Sequence, residues 1–247
     1  MSDTSSVSLV CCDVVGAAAV DGSVLERAFA EAIATQGVVT GTAAYVRSMV
    51  QFDRTRGWSP AEVMHSLFPG DEIRAQAASL AFERSFRAAV DRFGALPLSG
   101  ANDALDKLAA AGTKVCLLSC LSRPAFSLIM ERLGWWQRAD LLLCADDVAR
   151  GFPWPDLVLT AILRLGVGDV RDVAVATASE SGVLAARRAR GRRADRRARR
   201  GQAPPGRGHP PAGRHRRPAR PGGGERRDPG RARSPRVTEN YPARGRL

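Results

Sequence analysis

Four short apolar runs, separated by helix-patterned stretches, constrain the fold of this chain more than any other feature. They are residues 7–12 (VSLVCC), 114–119 (KVCLLS), 141–144 (LLLC) and 172–177 (DVAVAT). None alternates polar with apolar, as a half-solvated strand would, and three are rich in Val and Leu. Such runs suit strands buried on both faces of a parallel sheet. Between the second and fourth runs the pattern is strictly strand, helix, strand, helix, which predicts a sheet covered by helices on both sides. Between the first and second runs lies a long block that reads only as helix. The expected fold is therefore α/β: a Rossmann-like parallel core at 1–19 and 96–188, with a helical cap at 20–95 inserted after the first strand.

The helix signals in that block are local and physical. VLERAFAEAIATQG has helical apolar spacing and stops at Gly37. TAAYVRSMVQFDRTRG follows and ends near Gly57. SPAEVMHSLF opens with Ser59 as the N-cap, Pro60 in the first helical position and Glu62 three residues after the cap, the pattern of a capping box. The stretch 71–93 is a long amphipathic helix closed by Gly94.

Charge divides the chain at about residue 186. The whole sequence carries a net charge of +12, with 37 Lys and Arg against 25 Asp and Glu. Residues 1–185 hold 16 basic and 21 acidic side chains, a net of −5, whereas residues 186–247 hold 21 and 4, a net of +17. From Ala185 to Arg236 there is no Val, Ile, Leu, Met, Phe, Trp, Tyr or Cys. Nothing there offsets an ordering entropy of about 1–2 kcal/mol per residue, so 189–247 is expected to be a disordered Arg/Pro/Gly-rich tail. Its arginines imply non-specific polyanion binding, with nucleic acid as the obvious partner. Aromatics for base stacking are missing before Tyr241.

The five cysteines, Cys11, Cys12, Cys116, Cys120 and Cys144, lie in or beside the apolar runs and form no CxxC pair. Reduced core thiols in a cytoplasmic protein are expected. No basic region precedes a long apolar stretch at the N-terminus, and no run approaches the ~20 apolar residues of a membrane span. His65 stands alone in its helix and is expected on the surface. Trp135, Trp136 and Trp154 are expected to pack around the core.

The order and endings of the four runs resemble the haloacid dehalogenase-like hydrolase superfamily, most closely its phosphonatase-like branch, over residues 7 to about 190. The first run ends in Asp13, where that superfamily keeps a nucleophile that attacks phosphorus. It continues as Val14, Val15, Gly16 and Ala17, with a small apolar residue two positions on, as in the phosphonatase branch. KVCLLSCLSR resembles the strand ending in Ser or Thr that leads into a Ser-Arg turn. The resemblance makes Ser119 a donor to a phosphoryl oxygen, and Cys120 and Arg123 neighbours of the substrate, as is Gly16. RGFPWPDLVL resembles the Gly-(Arg/Lys)-Pro-x-Pro-Asp segment, with Phe152 in the place of the basic residue and Arg150, two residues before it, as the candidate to reach the substrate instead.

ATASESGVL stands where a Gly-Asp-Thr turn would bind Mg²⁺, and puts Ala178 and Gly182 at the two acidic positions. Asp156 and Glu180 are the nearby acids, and Asp156 also suits a helix start. By resemblance the cofactor is Mg²⁺, held by Asp13 and the backbone carbonyl of Val15. The partner is a small phosphorylated molecule. The phosphonatase's cap lysine has Pro60 near its place, and Lys107 and Lys114, the two lysines of the chain, lie in the core, so carbon–phosphorus cleavage is not expected.

The function implied is phosphoric-ester hydrolysis through an aspartyl-phosphate, catalytically impaired because the metal Asp and the Lys/Arg are replaced. The alternatives are a non-catalytic degenerate paralogue or small-molecule-binding scaffold, and an Arg-rich polyanion binder. The superfamily would continue after its fourth helix with a segment like VLTGAHD. Residues 193–200 can be encoded by CGT GCT GAC CGG CGC GCA CGA C, which reads VLTGAHD once its first base is dropped. The tail is thus compatible with an out-of-frame translation from about residue 189.

Overall fold

The computed structural model describes residues 7–19, 22–189 and 192–193. The expected tail, apart from Ala189, Arg192 and Arg193, lies outside the described residues, and so do the disorder, polyanion binding and reading frame expected of it.

Five parallel strands form one sheet: β1 (Leu9–Asp13), β2 (Lys114–Leu118), β3 (Leu141–Leu143), β4 (Val173–Ala176) and β5 (Arg192–Arg193). Their order is β3-β2-β1-β4-β5. β1 pairs with β2 from Leu9 opposite Lys114 to Asp13 opposite Leu118, and on its other edge with β4 from Leu9 opposite Val173. The four apolar runs thus became the four inner and edge strands expected of them. β5 is a two-residue addition, opposite Ala174 and Val175, inside the segment expected to be tail.

Alternate residues of each strand feed two cores. Leu9, Cys11, Cys116 and Leu118 face a cluster completed by Leu157, Val158, Ala161 and Ile162 of α7 (Asp156–Arg164) and Ala185 and Ala186 of α8 (Glu180–Arg188). Val115 and Leu117 face the other cluster, with Leu105 of α5 (Ala101–Ala110) and Phe126 and Ile129 of α6 (Arg123–Leu133). Burial on both faces is the reason these strands carry no polar alternation. Trp135 is fully buried here, its indole N–H donating to Asn102 Oδ1 at 3.0 Å. Trp136 and Trp154 do not join a core: they remain 49% and 40% exposed, and Trp154 is covered instead by the guanidinium groups of Arg150 and Arg188.

Four helices intervene between β1 and β2: α1 (Gly22–Ala34), α2 (Ala43–Arg54), α3 (Pro60–Leu67) and α4 (Glu72–Phe93). α1 and α3 pack along α4, and α4 reaches α6. The α3 capping box forms in full: Ser59 accepts from Glu62 N–H at 3.3 Å, and Glu62 Oε2 accepts from Ser59 N–H at 3.1 Å. The Ser122 hydroxyl caps α6 by accepting from Ala125 N–H, Ser179 caps α8 by accepting from Gly182 N–H, and Gly134 ends α6 in the left-handed region. His65 is exposed and bonds Glu72 Oε2 at 2.8 Å. Among the described residues, no helix is long and apolar enough to cross a membrane.

Candidate functional site

Three loops meet at the carboxyl ends of β1, β2 and β4. The chain leaves β1 for β2 on one side and later returns to β4 on the other, so a crevice opens at this switch point, as in other open parallel sheets. Asp13 closes β1 and is 5% exposed. The turn after it runs through Val15, still extended, and Gly16 at φ 86°, a conformation that favours glycine. Ser119 follows β2 and is 1% exposed; its Oγ accepts the Leu121 N–H at 3.2 Å. Cys120 is buried beside it and its Sγ accepts the Phe152 N–H at 3.3 Å.

The loop after β4 is a chain of hydroxyls. Thr177 Oγ1 donates to Asp13 Oδ2 at 3.1 Å and lies 3.2 Å from Ser179 Oγ. Ser181 Oγ lies 3.2 Å from Ser179 Oγ and also donates to the carbonyl of Arg56, in the turn between α2 and α3. Gly57, the next residue, has φ 86°, and a Cβ there would stand 2.4 Å from Ser181 Oγ and 2.5 Å from Ser179 Oγ. Gly57 is therefore required twice over, by its backbone angle and by this approach. The α2–α3 turn sits against the serine loop because no side chain intervenes.

Between these loops and helices α1 to α4 lies a cavity of about 510 Å³, within the usual size range of small-molecule sites. Its floor includes Asp13, Val15, Gly16, Ser119, Cys120 and Ala178; its walls include Phe29, Phe52, Trp58, Met64 and Phe82. Five of the residues expected in the site are thus brought together: Asp13, Val15, Gly16, Ser119 and Cys120. Arg123 and Arg150 are not in the lining. Arg123 opens α6 and pairs with Asp147. Arg150 is bound by both carboxylate oxygens of Asp156, at 3.1 and 3.2 Å, and stacks over Trp154. Phe152, in the position of the expected basic residue, is fully buried in the second core. Lys114 Nζ donates to the Leu165 carbonyl, away from the site.

Burial raises the Asp13 carboxyl from its ordinary 3.8 to about 7, although the Thr177 hydroxyl and the Val15 N–H pull it down. Among the described residues no cation is near enough to counter the burial. The Cys120 thiol is pushed well above its ordinary value by burial and by the Asp13 charge, which makes it inert as a nucleophile. Arg56 is the one cationic side chain in the cavity wall among the described residues. It is already held by Glu26, also in the wall, and by Asp53 Oδ1 at 3.0 Å.

The donor set does not fit a divalent magnesium ion. Mg²⁺ needs hard oxygen ligands in near-octahedral geometry, anchored by carboxylates. Here the floor offers one carboxyl, whose charge burial disfavours by raising its pKa to about 7, and one of its oxygens is taken by Thr177. Ala178 presents a methyl group next to Gly16, where a second carboxylate would be needed. Asp156 and Glu180 are helix-start residues outside the lining, and no group of three or more His, Cys, Asp or Glu that could hold a metal occurs among the described residues.

Arg56, Trp58 and Thr177 were not singled out from the sequence. The glycine after Arg56 marked only a helix end, whereas its structural meaning is contact with a loop more than 120 residues away. No local pattern carries that signal. Thr177 was legible as the last residue of a strand run but not as the partner of Asp13.

No protein-family model and no curated protein matches the chain. Solved structures do. CbbY from Rhodobacter sphaeroides, in complex with phosphate, is similar at a TM-score of 0.62 and 20% identity, over 76% of this chain and 84% of that one. A phosphonoacetaldehyde hydrolase-like protein from Oleispira antarctica is similar at 0.63 and 21% identity, over 76% and 71%. A HAD hydrolase of family IA, variant 3, from Entamoeba histolytica is similar at 0.63 and 15% identity, over 75% and 82%. At such identities the likeness speaks for architecture, and the chain has the fold of the haloacid dehalogenase-like hydrolases.

Proposed function

We propose that this chain is a phosphonatase-like member of the haloacid dehalogenase-like hydrolases in which phosphoryl transfer is largely lost and the cavity serves as a small-molecule-binding site. One observation carries the reading: Asp13 faces the cavity among hydroxyls and a methyl group, while Glu26, the other carboxylate of the lining among the described residues, is committed to Arg56, the one cation there. Phosphoryl transfer depends on cations that neutralise charge developing on the transferred group. Losing even a single neutral hydrogen-bond donor to developing charge costs ~10²–10³ in rate. Here the metal ligand and the Lys/Arg are both replaced, by Ala178 and Phe152, and Arg150 is committed to Asp156.

A residual hydrolase is the second reading, favoured by the placement of Asp13 and Ser119 at adjacent strand ends on one cavity floor. In it the Asp13 carboxylate attacks the phosphorus of a small phosphate ester, the ester P–O bond breaks and the alcohol leaves with a proton from solvent, and water then hydrolyses the aspartyl-phosphate, while Ser119 holds a phosphoryl oxygen. The two separate in one assay. Full-length protein is incubated with p-nitrophenyl phosphate and excess magnesium chloride, beside the Asp13→Asn variant. Turnover equal in the two proteins is the expected result. Magnesium-dependent turnover that disappears in Asp13→Asn would overturn the proposal.

A further inference from the structure

The cavity has walls and charges of its own, independent of any lost chemistry. Phe29 and Phe52 stack at 4.4 Å between ring centroids, and Trp58, Met64, Phe82 and Leu121 complete a largely aromatic and branched lining. The wall has no charge to spare for an anion. Arg56 is compensated by Glu26 and Asp53, so an incoming phosphate would have to displace two carboxylates and then lie beside one of them. Ionised, Asp13 repels an anion; protonated, it offers one O–H and no countercharge.

The polar groups of the wall are mostly satisfied within the protein. Thr55 Oγ1 donates to the Gln51 carbonyl at 2.8 Å, Ser179 belongs to the hydroxyl chain, and Ser23 is engaged as well. Ser119 differs. Its Oγ accepts from Leu121, but its own O–H has no acceptor among the described residues, and the side chain is 99% buried on the cavity floor. A buried hydroxyl hydrogen without an acceptor costs about as much as a lost hydrogen bond. An oxygen presented from the cavity would complete it.

We infer that this cavity binds an uncharged ligand with an aromatic or branched apolar body and one carbonyl oxygen, which accepts the Ser119 hydroxyl, in preference to a phosphorylated molecule. The inference rests on the reading of the cavity as a binding site. The apolar body fills the space between Phe29, Trp58 and Phe82, and the single oxygen sets its orientation. This is the usual division of labour in small-molecule sites, where apolar walls bind and a few polar groups orient.

The test is a fluorescence titration of the full-length protein with Prodan, a neutral naphthyl ketone whose emission moves to the blue away from water. 2-Acetylnaphthalene, 2-ethylnaphthalene and 2-naphthyl phosphate are then used as competitors. Saturable blue-shifted emission is expected, displaced at least tenfold better by 2-acetylnaphthalene than by 2-naphthyl phosphate. Ser119→Ala weakens 2-acetylnaphthalene by about fivefold, the worth of one neutral hydrogen bond, and leaves 2-ethylnaphthalene unchanged. Leu25→Trp, which fills the cavity from its wall, abolishes the shift, with circular dichroism as the check on folding.

Equal or better competition by the phosphate overturns the ligand class, as does an absent shift, one that survives Leu25→Trp in the folded variant, or an equal effect of Ser119→Ala on both neutral competitors. Tight binding of 2-naphthyl phosphate without turnover refutes the ligand class alone and leaves the non-catalytic reading standing. Magnesium-dependent turnover refutes the reading itself.

Discussion

Asp13→Asn is expected to stabilise this protein, and to do so increasingly as pH rises. The native carboxyl titrates at about 7 and the unfolded one at its ordinary 3.8, because burial without a counter-cation disfavours the charge. Between those values the native state binds more protons than the unfolded state, so stability falls as pH rises through the window. At 1.36 kcal/mol per pKa unit the penalty is about 2 kcal/mol at pH 5 and about 4 kcal/mol at pH 8.5. Asparagine has the same shape and carries no charge, and its Oδ1 can still accept from Thr177 Oγ1 and the Val15 N–H. Exchanging two hydrogen bonds to a carboxylate for two to an amide returns about 1 kcal/mol of the gain. The advantage of the variant over the wild type should therefore grow by about 3 kcal/mol between pH 5 and pH 8.5. Urea unfolding at the two pH values reads this directly. With a slope of about 2 kcal/mol per molar, the difference in midpoints widens by roughly 1–1.5 M. All other titrating groups cancel in the comparison. A midpoint difference that does not change with pH, or a variant less stable than the wild type at pH 8.5, would refute the account of Asp13 as a buried carboxyl without a counter-charge.

Gly57→Ala should cost at least about 2 kcal/mol, since it forces a Cβ into a left-handed residue and into Ser179 and Ser181, and thermal denaturation reads the loss. Combining it with Ser181→Ala should recover part of that loss and no more, because the backbone angle remains. Ser59→Ala removes the α3 N-cap and half of its capping box, a loss of about 1 kcal/mol in urea unfolding. Magnesium chloride should leave the melting temperature of the wild type unchanged beyond the effect of ionic strength, with calcium chloride as the control. Ala178→Asp should lower the melting temperature in chelator, by placing a second acid near Asp13, and magnesium should restore part of it.

What was legible in the sequence was whatever is encoded locally. The strand runs carry both faces of their burial in their composition, so Leu9, Cys11, Cys116 and Leu118 were visible as core before their partners were known. Helix ends were legible because Ser59 and Gly94 act within one turn of their own position. Asp13, Gly16, Ser119 and Cys120 could be placed because the resemblance to the haloacid dehalogenase-like hydrolases assigns them to the ends of the first two strands, which lie side by side in the sheet. Charge partners were not legible. Arg123 and Arg150 were aligned with the site by position in the chain, but long side chains turn toward the nearest carboxylate, and Asp147 and Asp156 are nearer than the cavity. Trp154 was misplaced for a related reason: two guanidinium groups cover its ring and so remove the need for a core. Arg56 and Trp58 belong to a turn whose role depends on a loop 120 residues later, and no periodicity reports that.

The hydroxyl chain explains how a cavity of this kind stays shaped without a cation. Where a metal binds, its charge organises the surrounding acids, and removing it leaves them to repel one another. Thr177, Ser179 and Ser181 are neutral and can each donate and accept, so they link Asp13 to the Arg56 carbonyl without creating a charge that needs balancing. The last link is the important one for access. Ser181 to Arg56 is a single neutral hydrogen bond, worth about 1 kcal/mol, and the Gly57 contact beside it is steric complementarity with no polar gain. That is enough to hold the α2–α3 turn, with Arg56 and Trp58, in one orientation over the floor most of the time. The Arg56–Glu26 ion pair adds a second tie, from the same turn to α1, so the turn is fixed to the serine loop by a neutral bond and to α1 by a charged one.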